Sequence, residues 1–322
     1  MAGLAEIIAA LQQASSLQHK QDIQTAAQRL GQRVRGGQGA IALGDDCAAI
    51  PQGDGYLLLA AEGIWPQLVQ TDPWFAGWCA VMVNVSDIYA MGGYPVAVVD
   101  ALWSQDAARA APLWEGMTVA ADTYGVPIVG GHSNHHSPYD ALAVSILGQA
   151  KALISSFSAR PGDQLLLAID MEGQPHEKYP FWNAATHKDG ATQRANLALL
   201  PTLTERGWCD AGKDVSMGGV VGTLLMLLET SRVGATLDLE AIPRPKAVSL
   251  TQWLLSFPSY GFLLSVRPHH VDAVRDLFHS RHITCEAVGQ VTGDRALTLT
   301  LGDETLPFWN LGDRPLTGFS PR

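Results

Sequence analysis

From about residue 38 the chain keeps one alternation, and it constrains the fold more than any other feature. Short apolar runs that read as strands are separated by stretches of helical length. "AIAL" at 40–43 and "YLLLAAE" at 56–62 come first, then "PVAVVDALW" at 95–103, "VPIVGG" at 126–131 and "ALAVSILGQA" at 141–150. Between them, "DPWFAGWCAVMVNVSDIYAMGG" places Trp74, Trp78, Met82, Val85 and Tyr89 on an i, i+4, i+8, i+11, i+15 stripe. That period makes a helix with a core-facing side. Asp72 is its expected N-cap, Pro73 its first-turn proline, and Gly92 and Gly93 its end. "DAARAAPLWEGMTVAADTYG" is a second helix, closed by Gly125. Strands interleaved with helices in this way predict an α/β class.

A turn at Pro161-Gly162-Asp163 then starts a new unit with "QLLLAI". Further on, the spacing predicts helix at 191–206 and 218–231, the strand "ATLDL", and strand–helix–strand texture to "CEAVGQV". Segment 171–190 reads as a long polar and aromatic loop. Residues 4–35 carry helical spacing broken near Ser15 and Ser16. A chain of 322 residues is long for one core. The expected division is a helical extension at 1–36, one domain at 37–158 and a second at 159–322.

A hydrophobic content of 47% against 16% charged residues supplies a large core and speaks against global disorder. The formal net charge is −10 with no lysine or arginine run, so nucleic acid is not an expected partner. An acidic chain can still bind phosphates together with a divalent cation. The four cysteines form no CxxC pair and read as buried thiols of a reducing compartment. "AGLAEIIAALQQA" lacks the basic start of a secretory signal, and "VVGTLLMLL" at 220–228 is too short to cross a bilayer. A cytoplasmic protein without a membrane partner is expected.

The chain contains no GxxxxGK[ST], no strand–GxGxxG–helix unit, no GxSxG and no HExxH. Its informative residues are acids at element ends: Asp45, Asp46, Glu62, Asp87 and Asp214. Adjacent carboxylates such as Asp45 and Asp46 repel unless a cation or hydrogen-bond donors hold them. Hard divalent ions take carboxylate and phosphate oxygens; a solvated turn is the alternative. Asn84 and Asp87 share a helix face near its last turns, where the dipole disfavours an acid and a metal would remove the conflict. An exposed helix acid is the alternative there. In "VGGHSNHHSPYD", Gly130 and Gly131 allow a phosphate to approach the backbone closely, with Ser133 and Asn134 beside them. His132, His135 and His136 open a metal-only reading, against solvated loop histidines.

"GDDCAAI", "NVSDIYAMGG", "VGGHS" and "KDVSMGGVVGTLLMLLETSRVGATLDLEAIP", in that order, resemble the aminoimidazole ribonucleotide (AIR) synthase superfamily. That group includes thiamine-monophosphate kinase, selenophosphate synthetase and a hydrogenase-maturation dehydratase. Within it the chain looks most like the proteins known only as AIR synthase-related, over roughly residues 38–322. The resemblance implies two α/β domains, an N-terminal domain contributing to a β-barrel shared by a homodimer, and ATP bound with Mg²⁺. By motif position Asp45, Asp46 and Asp87 match metal-binding acids. Asp214 matches the first acid of the kinases' D-x-S-D-G element. Gly44, Glu62, Asn84, Gly130, Gly131, His132 and Ser133 are the implied ATP-binding positions, with Glu62 standing where relatives often carry aspartate. Met217 replaces a second kinase acid, and His132 replaces the acid of the kinases' GGD. No cysteine precedes Cys47, so the selenophosphate synthetase nucleophile is missing, and Lys20 has only a loose counterpart there. The ending "FSPR" lacks the dehydratase cysteine. No catalytic residue is therefore assigned. The implied function is an Mg²⁺- and ATP-dependent phosphotransferase or ligase acting on an unidentified small molecule. The alternative is a non-catalytic ATP-binding accessory or scaffold protein.

Overall fold

The computed structural model describes residues 3–30 and 42–319. Two compact units emerge, and neither is continuous in sequence. One comprises Met1–Asp46, Leu153–Thr186 and Leu203–Arg322; the other comprises Cys47–Ala152 and His187–Thr202.

The unit around Cys47–Ala152 is built on a five-stranded sheet. Its strands run in the order Ala48–Gln52, Gly55–Gly63, Ala141–Ala150, Tyr94–Trp103, Ile128–Asn134. All neighbours are antiparallel except the last pair, which is parallel and connected through the helix Ala107–Tyr124. A parallel pair needs such a crossover. Period-two alternation sends Leu58, Ala60, Val98, Leu102, Leu142, Val144 and Ile146 to one buried face. The helix Pro73–Ala90 packs on the strands and against Ala107–Tyr124. As expected, Asp72 caps its first turn, accepting from Phe75 N at 3.3 Å, and Gly125 closes the second helix in the left-handed conformation with φ 67°. The helix is buried on nearly every side, so its core-facing side is wider than the stripe.

The sheet's opposite face holds Ile50, Leu57, Leu59, Leu147 and Val99, of which Leu59, Val99 and Leu147 are 47%, 42% and 37% exposed. The sheet is open; among the described residues its strands close no barrel.

The other unit carries a seven-stranded mixed sheet. Its order is Glu304–Asn310, Ala296–Leu301, Gly234–Asp238, Thr284–Thr292, Gln164–Ile169, Gly261–Val266, Ala211–Asp214. Gln164–Ile169 and Gly261–Val266 are buried along almost their whole length, as continuous apolar runs require. The helix Gly219–Ser231 is buried through Thr230. Leu4, Ile7, Leu11 and Leu17 from the N-terminal helices enter this same core. Gly219 adopts φ +64°, and a Cβ there would lie 2.1 Å from Leu254 O, so only glycine lets this helix start so close to its neighbour.

Two expectations are corrected. His132–Asn134 is not loop but the continuation of the strand Ile128–Asn134, because Ala101–Trp103 pair with it. Segment 171–190 contains the short strands Gln174–Pro175 and Phe181–Asn183, which join Phe257–Pro258 in a three-stranded sheet. The strand expected at 40–43 lies partly outside the described residues; Ala42 and Leu43 are not strand. Helix expected at 31–35, the 36/37 boundary and the ending after Phe319 also lie outside them. Among the described residues no helix is long and apolar enough to cross a membrane.

Candidate active site

A buried cluster of charge lies at an edge of the seven-stranded sheet. The edge strand Ala211–Asp214 is buried throughout and delivers Lys213 and Asp214 together. Asp45 and Asp46, in the loop after Gly44, meet this edge. Lys213 Nζ donates to Asp46 Oδ1 and lies 4.0 Å from Asp45 Oδ1. The side chains of Lys213, Asp45 and Asp46 are 4%, 4% and 6% exposed. Asp214 N donates to Asp46 Oδ2 at 3.4 Å, and carboxylate oxygens of Asp46 and Asp214 lie within 4.8 Å of one another.

Asp45 and Asp46 are adjacent in sequence but held differently. Asp45 accepts from Ser155 Oγ at 2.6 Å and from Ser156 N at 3.1 Å. Ser156 is itself fixed through its carbonyl, which accepts from Thr230 Oγ1 at 2.8 Å and Ser231 Oγ at 2.6 Å at the end of the long buried helix. Gly44 takes φ +113°, and a Cβ there would come 2.5 Å from Phe319 Cβ, so the residue before the acids must be glycine. Lys20 Nζ donates to Ser216 Oγ at 3.4 Å, two residues beyond Asp214.

Burial alone would push the Lys213 ammonium down; the charges of Asp46 and Asp45 outweigh it and raise its pKa, so the lysine stays charged. Burial pushes Asp46 up, and the neighbouring Asp45 adds to this while Lys213 opposes it. With all three carboxylates ionised, one ammonium leaves two negative charges uncompensated. Oxygen donors of this number and charge suit a hard divalent cation.

The second unit holds the other expected residues. Asn84 is 0% and Asp87 7% exposed, so the exposed-acid alternative for Asp87 does not hold. Asn84 Nδ2 donates to Ala80 O at 2.8 Å. Glu62, Val144, Asp100 and Gly131 form one row across four strands and share a face. Ser133 follows Gly131 on that face, whereas Gly130 and His132 alternate to the other. Asp100 closes over Gly131, where a Cβ would lie 2.2 Å from Asp100 Oδ1, and burial pushes its carboxyl up. His135 Nδ1 lies 2.8 Å from Ser104 Oγ, and His136 N donates to Asn134 Oδ1 at 2.9 Å. Among the described residues the histidines form no cluster of metal-ligating groups.

Residues 44–150 match the family described as AIR synthase related protein, N-terminal domain, and residues 160–302 match its C-terminal domain. The chain belongs to this family. An uncharacterized protein of Synechocystis sp. is 56% identical over 98% of this chain and 99% of its own length. A thiamine-monophosphate kinase of Synechococcus elongatus is 27% identical over 81% of this chain and 87% of its own. A selenide, water dikinase of Myxococcus xanthus is 30% identical over 62% of this chain and 59% of its own. Among solved structures, ThiL complexed with AMPPCP and TMP superposes with a TM-score of 0.67 at 17% identity, over 89% of this chain and 96% of that one. T. maritima PurL complexed with ATP gives 0.70 at 17% identity over 85% of this chain, which spans only 46% of PurL. At such identities these structures establish the fold.

Sequence reasoning missed Lys213, Ser155, Ser156 and Asp100. In "CDAGKDV" acids stand on both sides of Lys213, so the stretch reads as polar and does not mark the lysine as buried.

Proposed function

We propose that this protein is an Mg²⁺-dependent, ATP-binding enzyme that phosphorylates or activates a small-molecule acceptor. The observation that carries the reading is the buried set Asp45, Asp46, Lys213 and Asp214, whose excess of two negative charges calls for a divalent cation. Relatives named thiamine-monophosphate kinase and selenide, water dikinase support the reaction class. Asp45, Asp46 and Asp214 would hold Mg²⁺, which when bound neutralises phosphate charge. Ser155 and Ser156 fix the direction of the Asp45 carboxylate. Lys213 opposes the upward push of burial on Asp46, and the Asp214 N–H turns that carboxylate toward Asp214. Asp87, Asn84, Glu62, Gly44 and the Gly130–Ser133 segment enter the proposal from the motif resemblance. The reading includes a homodimer paired through the open apolar face of the five-stranded sheet. It also includes a cytoplasmic location, where ATP and Mg²⁺ are plentiful; four free buried thiols agree with it.

Calorimetric titration tests the proposal. ATP should bind the wild-type protein with Mg²⁺ and lose most of its affinity in a chelator. Asp214→Asn should weaken Mg-ATP binding at least tenfold while leaving stability within about 0.5 kcal/mol of wild type or raising it, since one repelling charge is gone. Unchanged affinity in Asp214→Asn would remove that residue from the site. A metabolite screen for ADP release then identifies the acceptor.

A further inference from the structure

The Asp45–Asp46 pair already has a cation, and it is covalently part of the chain. Lys213 Nζ sits against Asp46 Oδ1 and 4.0 Å from Asp45 Oδ1, with almost no solvent access. Its backbone pairs in register, Lys213 opposite Leu263 and Asp214 opposite Phe262, in an edge strand that is buried throughout, so the ammonium starts from a fixed and enclosed position. Asp45 is turned toward it by Ser155 and Ser156. An ammonium beside two carboxylates supplies there the kind of charge that a metal would supply, and it carries half the charge of a divalent ion.

We propose that Lys213 is a resident cation that substitutes for one metal ion at Asp45–Asp46. Divalent ions therefore bind the free protein weakly, and the charge left for them is centred on Asp46 and Asp214. The inference rests on the metal-binding reading of these acids but not on ATP. Lys213 is a positioning residue: it acts on the metal and the phosphates through the carboxylates.

The test is titration of Mn²⁺ alone, followed by calorimetry and by thermal unfolding with and without the ion. Lys213→Met keeps the apolar stem and removes the charge. Deleting a cation this close to the carboxylates should tighten Mn²⁺ binding by about tenfold or more. Its melting temperature should fall in chelator and recover in Mn²⁺ by more than the wild type gains. Lys213→Arg, which retains the charge, should bind Mn²⁺ as weakly as wild type. The proposal is overturned if Lys213→Met folds and binds Mn²⁺ no tighter than wild type. It is equally overturned if that variant, purified with Mn²⁺ present throughout, folds neither with nor without the ion. The two readings fail separately. A wild type that binds Mg-ATP beside an unresponsive Lys213→Met removes the resident cation alone. A responsive Lys213→Met in a protein that binds no ATP removes the nucleotide alone.

Discussion

Glu229 offers the sharpest energetic prediction, because its carboxylate is fully buried in the helix Gly219–Ser231 and accepts from four donors of the C-terminal segment. Oε1 accepts from Leu316 N at 2.9 Å and Gly318 N at 3.1 Å; Oε2 accepts from Thr317 N at 2.7 Å and Thr317 Oγ1 at 2.6 Å. Glu229→Gln keeps the shape but turns one oxygen into a donor. The amide will place its nitrogen on the Thr317 side, where the hydroxyl can rotate to accept. One buried backbone N–H, that of Thr317, is then left unpaired, at a cost of about 1–3 kcal/mol. The two bonds that remain lose their charge assistance, about 1 kcal/mol each or somewhat less. The expected loss is about 3 kcal/mol, read from the shift in urea midpoint at unchanged slope. A cycle with Thr317→Val separates the hydroxyl's part: the two substitutions should couple, since the Thr317 hydroxyl, which valine lacks, is the group that rescues the glutamine. A Glu229→Gln loss below about 1 kcal/mol would refute the reasoning, because an unpaired buried N–H alone exceeds it. The measurement bears on the site as well. The tail held by Glu229 places Phe319 against Gly44, the residue before the two acids.

Two further outcomes follow from the second unit. Although burial pushes Asp140 up, the donors of Gln105 and Arg109 hold its pKa below the ordinary carboxylate value. A depressed folded-state pKa contributes stability above the unfolded pKa that is lost as pH falls through the folded one, so Asp140→Asn should be less stable than wild type at neutral pH and lose less on acidification, as followed by thermal melts across the acid range. Leu59→Lys together with Leu147→Lys puts charges on opposite residues of the open apolar face; light scattering should show a dimer for wild type and a monomer for the double variant, and a wild-type monomer at micromolar concentration would end the dimer reading.

How much of this was legible depended on how local the governing interaction is. The helix Pro73–Ala90 was readable because its signals sit inside it: the Asp72 cap, Pro73 in the first turn and the glycines beyond its end. The strands of the five-stranded sheet were readable for the same reason, since alternation or a continuous apolar run is a property of the segment itself. His132–Asn134 was misread because a polar, histidine-rich stretch carries no strand pattern of its own; pairing with Ala101–Trp103, some thirty residues earlier, overrides it. The exchange of segments between the units was not legible. His187–Thr202 groups with Cys47–Ala152, and the N-terminal helices with the seven-stranded sheet, through packing between segments far apart in the chain.

The adjacent acids show the same division. Sequence alone says that Asp45 and Asp46 need compensation, because two carboxylates in succession repel. It does not say that the compensation is asymmetric. Asp45 is satisfied by neutral donors: a hydroxyl and a backbone N–H borrowed from Ser155 and Ser156. Asp46 is satisfied by a charge, Lys213, and by the Asp214 N–H. Neutral donors orient a carboxylate and leave its charge in place; an ammonium cancels it. The pair is therefore not two equivalent ligands. Asp45 is oriented by neutral donors with the Lys213 ammonium 4.0 Å away, and Asp46 shares its charge between that lysine, in direct contact, and whatever cation approaches from Asp214. Removing Asp45 by Asp45→Asn should cost metal affinity through lost charge alone, whereas Asp46→Asn should also release Lys213 toward Asp45 and blunt the charge of both.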